Sequence, residues 1–412
     1  MTFGQAQKYL LALELFGMRF GLDRMHKLMT VLGMPQRRFA SIHVVGTNGK
    51  SSTVRFCAAI LERHGLRTGS YTSPHLGSFR ERIEVGERAI SEADFAAAVQ
   101  RAAHAAKLVD RTLAPDDRVT QFEALTAAAY HELARRGVEV AVIEAGLGGR
   151  YDATNVIPSK VQVLTGVGLE HTRWLGPTVR DIAEEKLAVV RDHSTLVTGR
   201  LDPEAQSVVE RVAAERHARV VAAGPAAIRL RAAGAFQREN FGLAEAAAAA
   251  FLERAPAGTA IERAAAETRV PGRLDVVAER PLTVYDGAHN PSGARALATA
   301  LPEVLGRRRP VVGVLSVLED KDAAGILGAL LPLLHQTVLT RCTNPRALSP
   351  GTLEALAEKL AGPPTETIAA PRAALARARE LAGADGAVLV TGSIYLVGDL
   401  VREPTAARAS SF

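Results

Sequence analysis

The sequence predicts an α/β protein with two domains: an N-terminal domain over residues 1–270 with a mostly parallel sheet, and a smaller C-terminal domain over residues 271–412. Three observations lead to this prediction. Short apolar runs alternate with helical patterns, polar clusters follow the predicted strands, and the same alternation starts again after about residue 270. At about 150 residues per domain, the length of 412 residues corresponds to two or three domains.

The composition is that of a folded globular protein, with 47% hydrophobic and 23% charged residues, and it excludes wholesale disorder. The net charge of +6 permits an anionic partner such as nucleic acid, a phosphate ester or a polyanionic metabolite. Two cysteines, Cys57 and Cys342, cannot form a disulfide framework or a zinc module. Because no signal peptide or apolar run of about 18 residues is recognisable, we expect a soluble, cytoplasmic protein and, by default, a monomer.

The N-terminal elements follow from the spacing of apolar residues. An apolar run at 41–45 stops at Gly46, and helical spacing follows Lys50, which indicates a strand, a glycine loop and a helix. Strands and helices that alternate in this way form a parallel sheet, with ligands beyond the carboxyl ends of its strands. The predicted elements are strands at 41–45, before Tyr71, at 138–143 and at 161–167, and helices from Lys50, at 119–136 and at 178–190.

The C-terminal elements repeat the α/β pattern on a smaller scale, which is typical of a Rossmann-like domain. Pro271-Gly272 is the expected hinge, because proline and glycine interrupt the chain there after the alanine-rich helices of residues 241–267. The predicted elements are strands near 282–285, 310–315, 336–340 and 387–390, with helices that include 293–305 and 371–382.

The segment from Gly46 to Ser52 reads Gly-Thr-Asn-Gly-Lys-Ser-Ser and carries the clearest chemical signal. It departs from the GxxxxGK[ST] spacing, because Val44 stands where the first glycine would be. The features that bind phosphate are nevertheless retained. Glycines let backbone N–H groups face a phosphate, and the helix presents its positive end. Lys50 can reach the terminal phosphates. The pattern predicts a P-loop ATPase domain in which a hydroxyl after Lys50 can approach Mg²⁺.

Other polar residues at predicted strand ends have more than one interpretation. Glu144 ends an apolar strand, where a carboxylate needs a partner or a metal, and Mg²⁺ prefers oxygen ligands. Taken alone, Ser73 indicates a Ser-Pro turn and His171 a structural histidine. Lys186, also taken alone, is expected to be solvated, and the segment from Asp286 suits either a capping turn or a ligand-facing loop.

Together these segments resemble the folylpolyglutamate synthase/dihydrofolate synthase family, relatives of the Mur peptide ligases. The matches run in order through both predicted domains, and SPHL, GLGGRxDATN and DGAHNP are the most specific. They are GTNGK at 46–50, YTSPHL at 71–76, FRERI at 79–83, EAGLGGRYDATN at 144–155, EHTRWLG at 170–176, EK at 185–186, PGR at 271–273, DGAHNP at 286–291, DKD at 320–322 and TGSIYL at 391–396.

The resemblance implies an enzyme that uses ATP and Mg²⁺ to join L-glutamate to dihydropteroate, to a reduced folate, or to both. A substrate carboxylate takes the γ-phosphoryl group of ATP, and the amine of glutamate then displaces phosphate. Because phosphoryl transfer depends on positioning and charge neutralisation, Lys50 and a magnesium ion meet its main requirements. ATP is expected to lie between the two domains.

The resemblance also assigns roles to individual residues, and Lys50, Lys186 and His289 match the catalytic positions. Lys186 matches the lysine that becomes carbamylated in the family. The nucleotide positions are Thr47, Asn48, Gly49, Lys50, Ser51, Ser52, Asn240, Arg273 and Asp286. The metal positions are Ser73, Glu144 and His171, and the substrate positions are Arg82, Thr120, Phe122, Asp152 and Ser393.

Two residues depart from the family pattern without removing a functional group. Ser51 replaces a common glycine after the P-loop lysine, so that two adjacent hydroxyls, on Ser51 and Ser52, are available to approach magnesium. Glu170 replaces the aspartate before the metal-binding histidine and is longer by one methylene group.

Three other functions agree less well with these residues. A ligase of the Mur type acting on muramyl peptides is the alternative enzyme, but SPHL and GGRxDATN favour the folate family. A nucleic-acid-binding ATPase would cluster basic residues with stacking aromatics, whereas aromatic residues make up 5% of this chain. An inactive folate or nucleotide sensor would not need Lys50, Glu144, His171, Lys186 and Asp286 together.

Overall fold

The computed structural model describes residues 1–13 and 20–403, and it confirms the α/β fold class. These residues form two separate sheets, one of eight strands and one of six. Pro271 and Gly272 lie between the last helix before the second sheet and its first strand. The last residues of the predicted C-terminal domain, 404–412, lie outside the described residues.

The first sheet is parallel except at one edge. Its strand order is β4-β3-β2-β5-β1-β6-β7-β8. The pairs β2–β3 and β3–β4 are antiparallel, and the other pairs are parallel. The strands are β1 (Ala40–Val45), β2 (Thr68–Tyr71), β3 (Ile83–Val85), β4 (Arg88–Ala89), β5 (Val140–Glu144), β6 (Val161–Leu164), β7 (Thr195–Thr198) and β8 (Arg219–Ala222). Because β1 is at the centre between β5 and β6, the loops that follow these three strands meet at one edge.

Helices cover both faces of this sheet, because successive strand residues point to opposite sides. In β5, Val140 and Val142 join the core under α3, α9 and α10, whereas Ala141 and Ile143 join the core under α1, α2, α4 and α5. The helices are α1 (Phe3–Ala12), α2 (Asp23–Val31), α3 (Lys50–Glu62), α4 (Glu92–Asp110), α5 (Gln121–Arg135), α6 (Thr172–Leu175), α7 (Val179–Leu187), α8 (Pro203–Glu215), α9 (Ala235–Leu252) and α10 (Gly258–Glu267).

The second sheet has the order β13-β12-β11-β14-β10-β9, and only β9 pairs antiparallel. Its strands are β9 (Asp275–Glu279), β10 (Leu282–Tyr285), β11 (Val311–Leu315), β12 (Gln336–Leu339), β13 (Thr365–Thr367) and β14 (Ala387–Thr391). Its helices are α11 (Pro291–Leu305), α12 (Ala323–Leu330), α13 (Pro350–Lys359), α14 (Pro371–Ala382) and α15 (Ile394–Val401). Separate apolar cores fill its two faces.

The strands expected from apolar runs are present, and most deviate by only a few residues. The helix expected at 178–190 ends earlier, at Leu187. The strands that the sequence did not predict have two to five residues and lie towards the sheet edges: β3, β4, β7, β8, β9 and β13. Within the described part of the chain, no helix combines the length and apolarity needed to cross a membrane.

The contact between α3 and α9 holds α3, the helix that follows the glycine loop. We expect the loss of this contact to lower the free energy of unfolding. Phe56 and Phe241 are fully buried and meet edge to face, with ring centroids 5.1 Å apart. Phe241→Ala should lower the free energy of unfolding by about 3–5 kcal/mol, the usual cost of deleting a buried ring, as measured by urea denaturation. Val277→Ala, at a residue 43% exposed on β9, is the control and should change it by less than about 0.5 kcal/mol. A loss at Phe241 no larger than the control would contradict the prediction.

Candidate active site

The glycine loop between β1 and α3 is shaped by two glycines that nothing larger can replace. Gly46 and Gly49 both have positive φ, at 148° and 85°. A Cβ on Gly46 would overlap the hydroxyl of Thr165, and a Cβ on Gly49 would overlap the amide oxygen of Asn240. The loop is therefore packed tightly against the loop after β6 and against α9, which leaves its backbone N–H groups at the N-terminus of α3.

Two lysine side chains converge on the carbonyl oxygen of Gly46. Lys50 Nζ donates to Gly46 O at 3.0 Å and to Thr47 O at 3.2 Å, while Lys186 Nζ donates to Gly46 O at 2.9 Å. Lys186 is only 4% exposed, so the expectation of a solvated lysine, made for this residue taken alone, is wrong. Burial, with the charge of Lys50 adding to it, lowers the pKa of Lys186 to about 7.

Glu144 is buried at the end of β5 and faces the same loop. Its carboxylate accepts hydrogen bonds from the Ser51 hydroxyl at 2.9 Å and from the backbone N–H of Ser73 at 3.1 Å. Burial raises the pKa of Glu144, and the positive charge of Lys50 opposes that shift. No salt bridge to Glu144 is present within residues 1–13 and 20–403, so a bound cation would add a direct charge partner to these two hydrogen bonds. Ser52 is buried within α3.

A second cluster forms where the loop after β6 meets the loops after β10 and β11 of the second sheet. Glu170 Oε1 accepts from His289 Nε2 at 3.0 Å and from Lys321 Nζ at 3.1 Å. Burial opposes ionisation of Glu170, but the hydrogen bond from His289 and the charge of Lys321 outweigh it and hold the pKa of Glu170 well below its usual range. Lys321 Nζ also lies 3.5 Å from His171 Nε2.

His171 has the strained left-handed backbone of a residue held in place by its surroundings, with φ of 52°. Burial, followed by the charge of Lys321, lowers the pKa of His171 to about 4, so its imidazole is neutral near pH 7 and keeps a lone pair for a metal. Groups of three or more His, Cys, Asp or Glu side chains suited to a metal are absent from the part of the chain that the structure describes. A single carboxylate and hydroxyls are sufficient for a cation that is also held by substrate phosphates.

The expected nucleotide residues lie on both sides of the junction between the sheets. Asn48 exchanges hydrogen bonds with Asn290, at 3.0 and 3.3 Å, which ties the glycine loop to the start of α11. Asn240 packs against Gly49 from α9. Burial raises the pKa of Asp286, and the positive charge of Arg273 opposes this shift. The charge of Arg273 also opposes the rise in the pKa of Glu144.

Two of the expected substrate residues, Phe122 and Asp152, lie against Gly146 in the loop after β5. A Cβ on Gly146 would crowd both the ring of Phe122 and the carboxylate of Asp152. Asp152 accepts from the backbone N–H of Leu147 at 2.8 Å, and Thr120 caps the N-terminus of α5.

The other two expected substrate residues, Arg82 and Ser393, are enclosed by the protein. Arg82 is fully buried, donates to His75 Nδ1 at 3.0 Å and lies over the Phe79 ring. Ser393 is buried at the start of α15, where its side chain accepts from the backbone N–H of Tyr395. Neither is brought beside Lys50 by a described contact, and their roles stay predictions.

Sequence reasoning missed Lys321 and Thr165 as parts of this region. Lys321 lies in the DKD segment that resembles the family, so a signal was present, but nothing in that segment indicates a partner 151 positions away on Glu170. Thr165 carries no motif, and its packing against Gly46 and its hydrogen bond to Asn48 O reveal it.

The glycine loop, the buried glutamate at the end of β5 and the second α/β unit are those of a Mur ligase, and the comparison with family models shows that class. Residues 44–248 match the Mur ligase middle domain, and residues 272–394 match the Mur ligase, glutamate ligase domain. Within that class, the chain belongs to the folylpolyglutamate synthase/dihydrofolate synthase family, as its relatives show.

The dihydrofolate synthase/folylpolyglutamate synthase of Bacillus subtilis is 32% identical, and the match covers 93% of this chain and 95% of that protein. A probable bifunctional folylpolyglutamate synthase/dihydropteroate synthase of Haloferax volcanii is 35% identical, and the match covers 97% of this chain. The match covers 50% of that relative, so this chain spans about half of its length. Among solved structures, the folylpolyglutamate synthase of Mycobacterium tuberculosis, complexed with ADP and AMPPCP, superposes with a TM-score of 0.89 at 34% identity and covers 96% of this chain and 98% of that one.

Gly49→Ala should weaken nucleotide binding because the new Cβ would collide with Asn240 and displace the loop. We expect the dissociation constant for ADP, measured by calorimetry, to rise at least about tenfold, equivalent to about 1.4 kcal/mol. Gly65→Ala is the matched control, since Gly65 has nearly the same φ, 84°, but nothing within 4 Å of the added Cβ. Equal ADP affinity in the two variants would contradict the role given to Gly49.

Proposed function

We propose that this chain is an ATP-dependent ligase that adds L-glutamate to both dihydropteroate and reduced folates through an acyl phosphate. The observation that carries the proposal is the pair of lysines, Lys50 and Lys186, beside a buried glutamate at the glycine loop of a Mur ligase fold. Membership of a family whose relatives bear both synthase names supports two acceptors.

The first step transfers the γ-phosphoryl group of ATP to the acceptor. A carboxylate oxygen of the acceptor bonds to the γ-phosphorus, the bridging bond to the β-phosphate breaks, and ADP leaves with the electron pair. Lys50 and the N–H groups at the start of α3 neutralise the phosphate charge during this transfer. Asn240, Arg273 and Asp286 are the proposed nucleotide contacts, together with Thr47, Asn48, Gly49, Ser51 and Ser52.

In the second step the amine of L-glutamate attacks the acyl carbon, an amide bond forms, and phosphate leaves while the nitrogen loses a proton. His289 is proposed to act beside the incoming amine, with Ser393 near the glutamate site, and Arg82 is proposed as a further substrate residue. Nδ1 of His289 lies 2.8 Å from Gly287 O and Nε2 lies 3.0 Å from Glu170, so both nitrogens face oxygen atoms and the ring is held in one orientation.

Magnesium suits the donors at the loop, and Ser73, Glu144 and His171 are the residues proposed to hold it. Glu144 supplies a buried carboxylate oxygen and His171 a neutral imidazole. A bound Mg²⁺ would neutralise charge on the phosphate oxygens. The Ser51 hydroxyl contacts Glu144, which favours Ser51 over Ser52 as the hydroxyl nearest the ion.

The acceptor's pterin group is proposed to bind at Thr120, Phe122 and Asp152. Phe122 offers an aromatic face for a flat ring. Asp152 is buried beside it and can pair with ring N–H groups of a pterin, since a carboxylate accepts two hydrogen bonds side by side. The placement of both residues around Gly146 supports a site next to the glycine loop.

We also propose domains at 1–270 and 271–412 and a monomer that works in the cytoplasm on small-molecule substrates, without nucleic acid. Separate apolar cores beneath the two sheets support the division. The contacts of Asn48 with Asn290 and of Glu170 with Lys321 cross the proposed boundary near the nucleotide residues.

A side-by-side assay tests the function directly. Purified protein with ATP, Mg²⁺ and L-glutamate should glutamylate both dihydropteroate and tetrahydrofolate, with products resolved by mass. Lys50→Ala should lower kcat with either acceptor by at least about a hundredfold, because phosphate charge is no longer neutralised. Lys359→Ala, at an exposed lysine on α13, is the control and should retain full activity. Absence of glutamylated product from both acceptors would overturn the proposal.

Lys186 is expected to carry a carboxyl group when CO₂ is available. The neutral amine attacks the carbon of CO₂, an N–C bond forms, and the nitrogen loses a proton to give a carbamate. Because the pKa of Lys186 is lowered to about 7, the reactive amine becomes more abundant as the pH rises through that value.

This expectation can be checked in protein labelled with ¹³C-bicarbonate. A carbamate resonance should appear, should disappear in Lys186→Arg, and should persist in Lys160→Arg, a control at an exposed lysine. At fixed dissolved CO₂, ligase activity should increase as the pH passes through about 7. Full activity in Lys186→Arg, or a resonance unchanged by that substitution, would contradict the role of the carbamate.

A further inference from the structure

Thr165 comes directly after β6, and its side chain lies against the glycine loop that follows the neighbouring strand. Its backbone N–H donates to Val45 O at 2.9 Å, which continues the pairing of β6 with β1. Its hydroxyl oxygen lies 2.5 Å from Asn48 O and 3.4 Å from Val45 O. Because a hydroxyl has one proton, the shorter distance identifies Asn48 O as the main acceptor. The side chain therefore bridges from the end of β6 to the middle of the glycine loop.

The absence of a side chain on Gly46 makes room for this hydroxyl. A Cβ on Gly46 would lie 2.0 Å from Thr165 Oγ1, too close for two atoms that are not bonded. A second threonine makes the reciprocal contact, since the hydroxyl of Thr47 donates to Gly168 O at 3.2 Å and accepts from Gly168 N at 3.0 Å. The two hydroxyls hold the two loops together, and Thr165 is the one that contacts the peptide before Gly49.

The bond to Asn48 O sets the direction of the Gly49 N–H. The peptide between these two residues is trans, and in a trans peptide the C=O and the following N–H point in opposite directions. Because Asn48 O points to Thr165, the N–H of Gly49 points away from Thr165. It donates to no group within residues 1–13 and 20–403. Gly49 is the N-cap of α3, so this N–H is available to an anion at the N-terminus of that helix.

Gly49 does not fix the orientation of this peptide by itself. A Cβ at this position would overlap Asn240, so packing requires a glycine there. Glycine accepts φ of either sign, so the Asn48–Gly49 peptide can reverse without steric cost at Gly49. The reversed peptide would present the partial negative charge of Asn48 O where the N–H of Gly49 now lies, and it would repel a phosphate. The hydroxyl of Thr165 opposes this reversal.

We propose that Thr165 is a positioning residue for the nucleotide: its hydroxyl holds Asn48 O away from the phosphates and keeps the N–H of Gly49 turned towards them. The inference rests on the proposed function, which places nucleotide phosphates at the glycine loop. Thr165 itself touches no ligand and acts before the nucleotide arrives. Its effect is to raise the population of the loop that is ready to bind phosphate.

Thr165→Ala and Thr165→Ser differ by the hydroxyl and test this role directly. Thr165→Ala should raise the Kd for ADP, measured by calorimetry, by about fivefold, which corresponds to a fall of the competent peptide orientation to about one fifth of the molecules. Thr165→Ser keeps the hydroxyl and should stay within about twofold of the wild type. Thr367→Ala, at an exposed threonine on β13, is the control and should bind ADP as the wild type does.

Adenosine, which carries no phosphate, gives a second readout. Its Kd, measured by NMR titration, should agree within about twofold between the wild type and Thr165→Ala, because the N–H of Gly49 is assigned to a phosphate oxygen. A general disturbance of the nucleotide site would instead weaken adenosine and ADP alike. Urea denaturation of each variant shows whether it is folded under the conditions of the binding measurements.

The outcomes separate this inference from the proposed function. If the wild-type protein does not bind ADP, the proposed nucleotide site fails, and the inference fails with it. If the wild type binds ADP and Thr165→Ala binds it as tightly, Thr165 is not a positioning residue although the nucleotide site stands. Equal weakening of ADP and adenosine, or a Thr165→Ser variant as impaired as Thr165→Ala, would also overturn the inference. A Thr165→Ala variant that does not fold would assign the hydroxyl to stability and would overturn it as well.

Discussion

Two lysine side chains meet at one backbone carbonyl, and the surrounding site depends on that concentration of positive charge. Lys50 and Lys186 both donate to Gly46 O, which carries only a partial negative charge. Burial and then the charge of Lys50 lower the pKa of Lys186, and the positive charge of Lys50 favours anions at the start of α3. The net charge of +6 is explained in the same way, because ATP, glutamate and the folate acceptor are all anions.

The junction between the two sheets places further charges around that centre. Glu170 follows β6 in the N-terminal half and accepts hydrogen bonds from His289 and Lys321 of the C-terminal half. The same loop carries His171, so a movement of the C-terminal sheet would move the partners of Glu170 and change the surroundings of His171. The contact of Asn48 with Asn290 ties the glycine loop to the same junction. The position of the glycine loop and the relative position of the two halves are therefore coupled by direct contacts.

Runs of apolar residues predicted the strands whose two faces are both buried. The strand before Gly46 and the strand ending at Glu144 are rich in apolar residues because both of their faces are buried. The strand Arg88–Ala89 has two residues and lies at the sheet edge, so no periodic pattern could indicate it. The strand Arg219–Ala222 is largely exposed, so it has no buried face that would give an alternating pattern of apolar residues.

The sequence by itself determined the class of fold, the glycine loop and the family, because each is recorded in residue types at short, fixed spacings. The tertiary structure alone decided that Lys186 is buried rather than solvated, that Lys321 joins Glu170, and that Phe20 meets Trp174. These contacts join residues far apart in the chain, so no local pattern of residue types records them. Burial and pairing then set the charge states on which the chemistry depends, and neither is encoded at any single position.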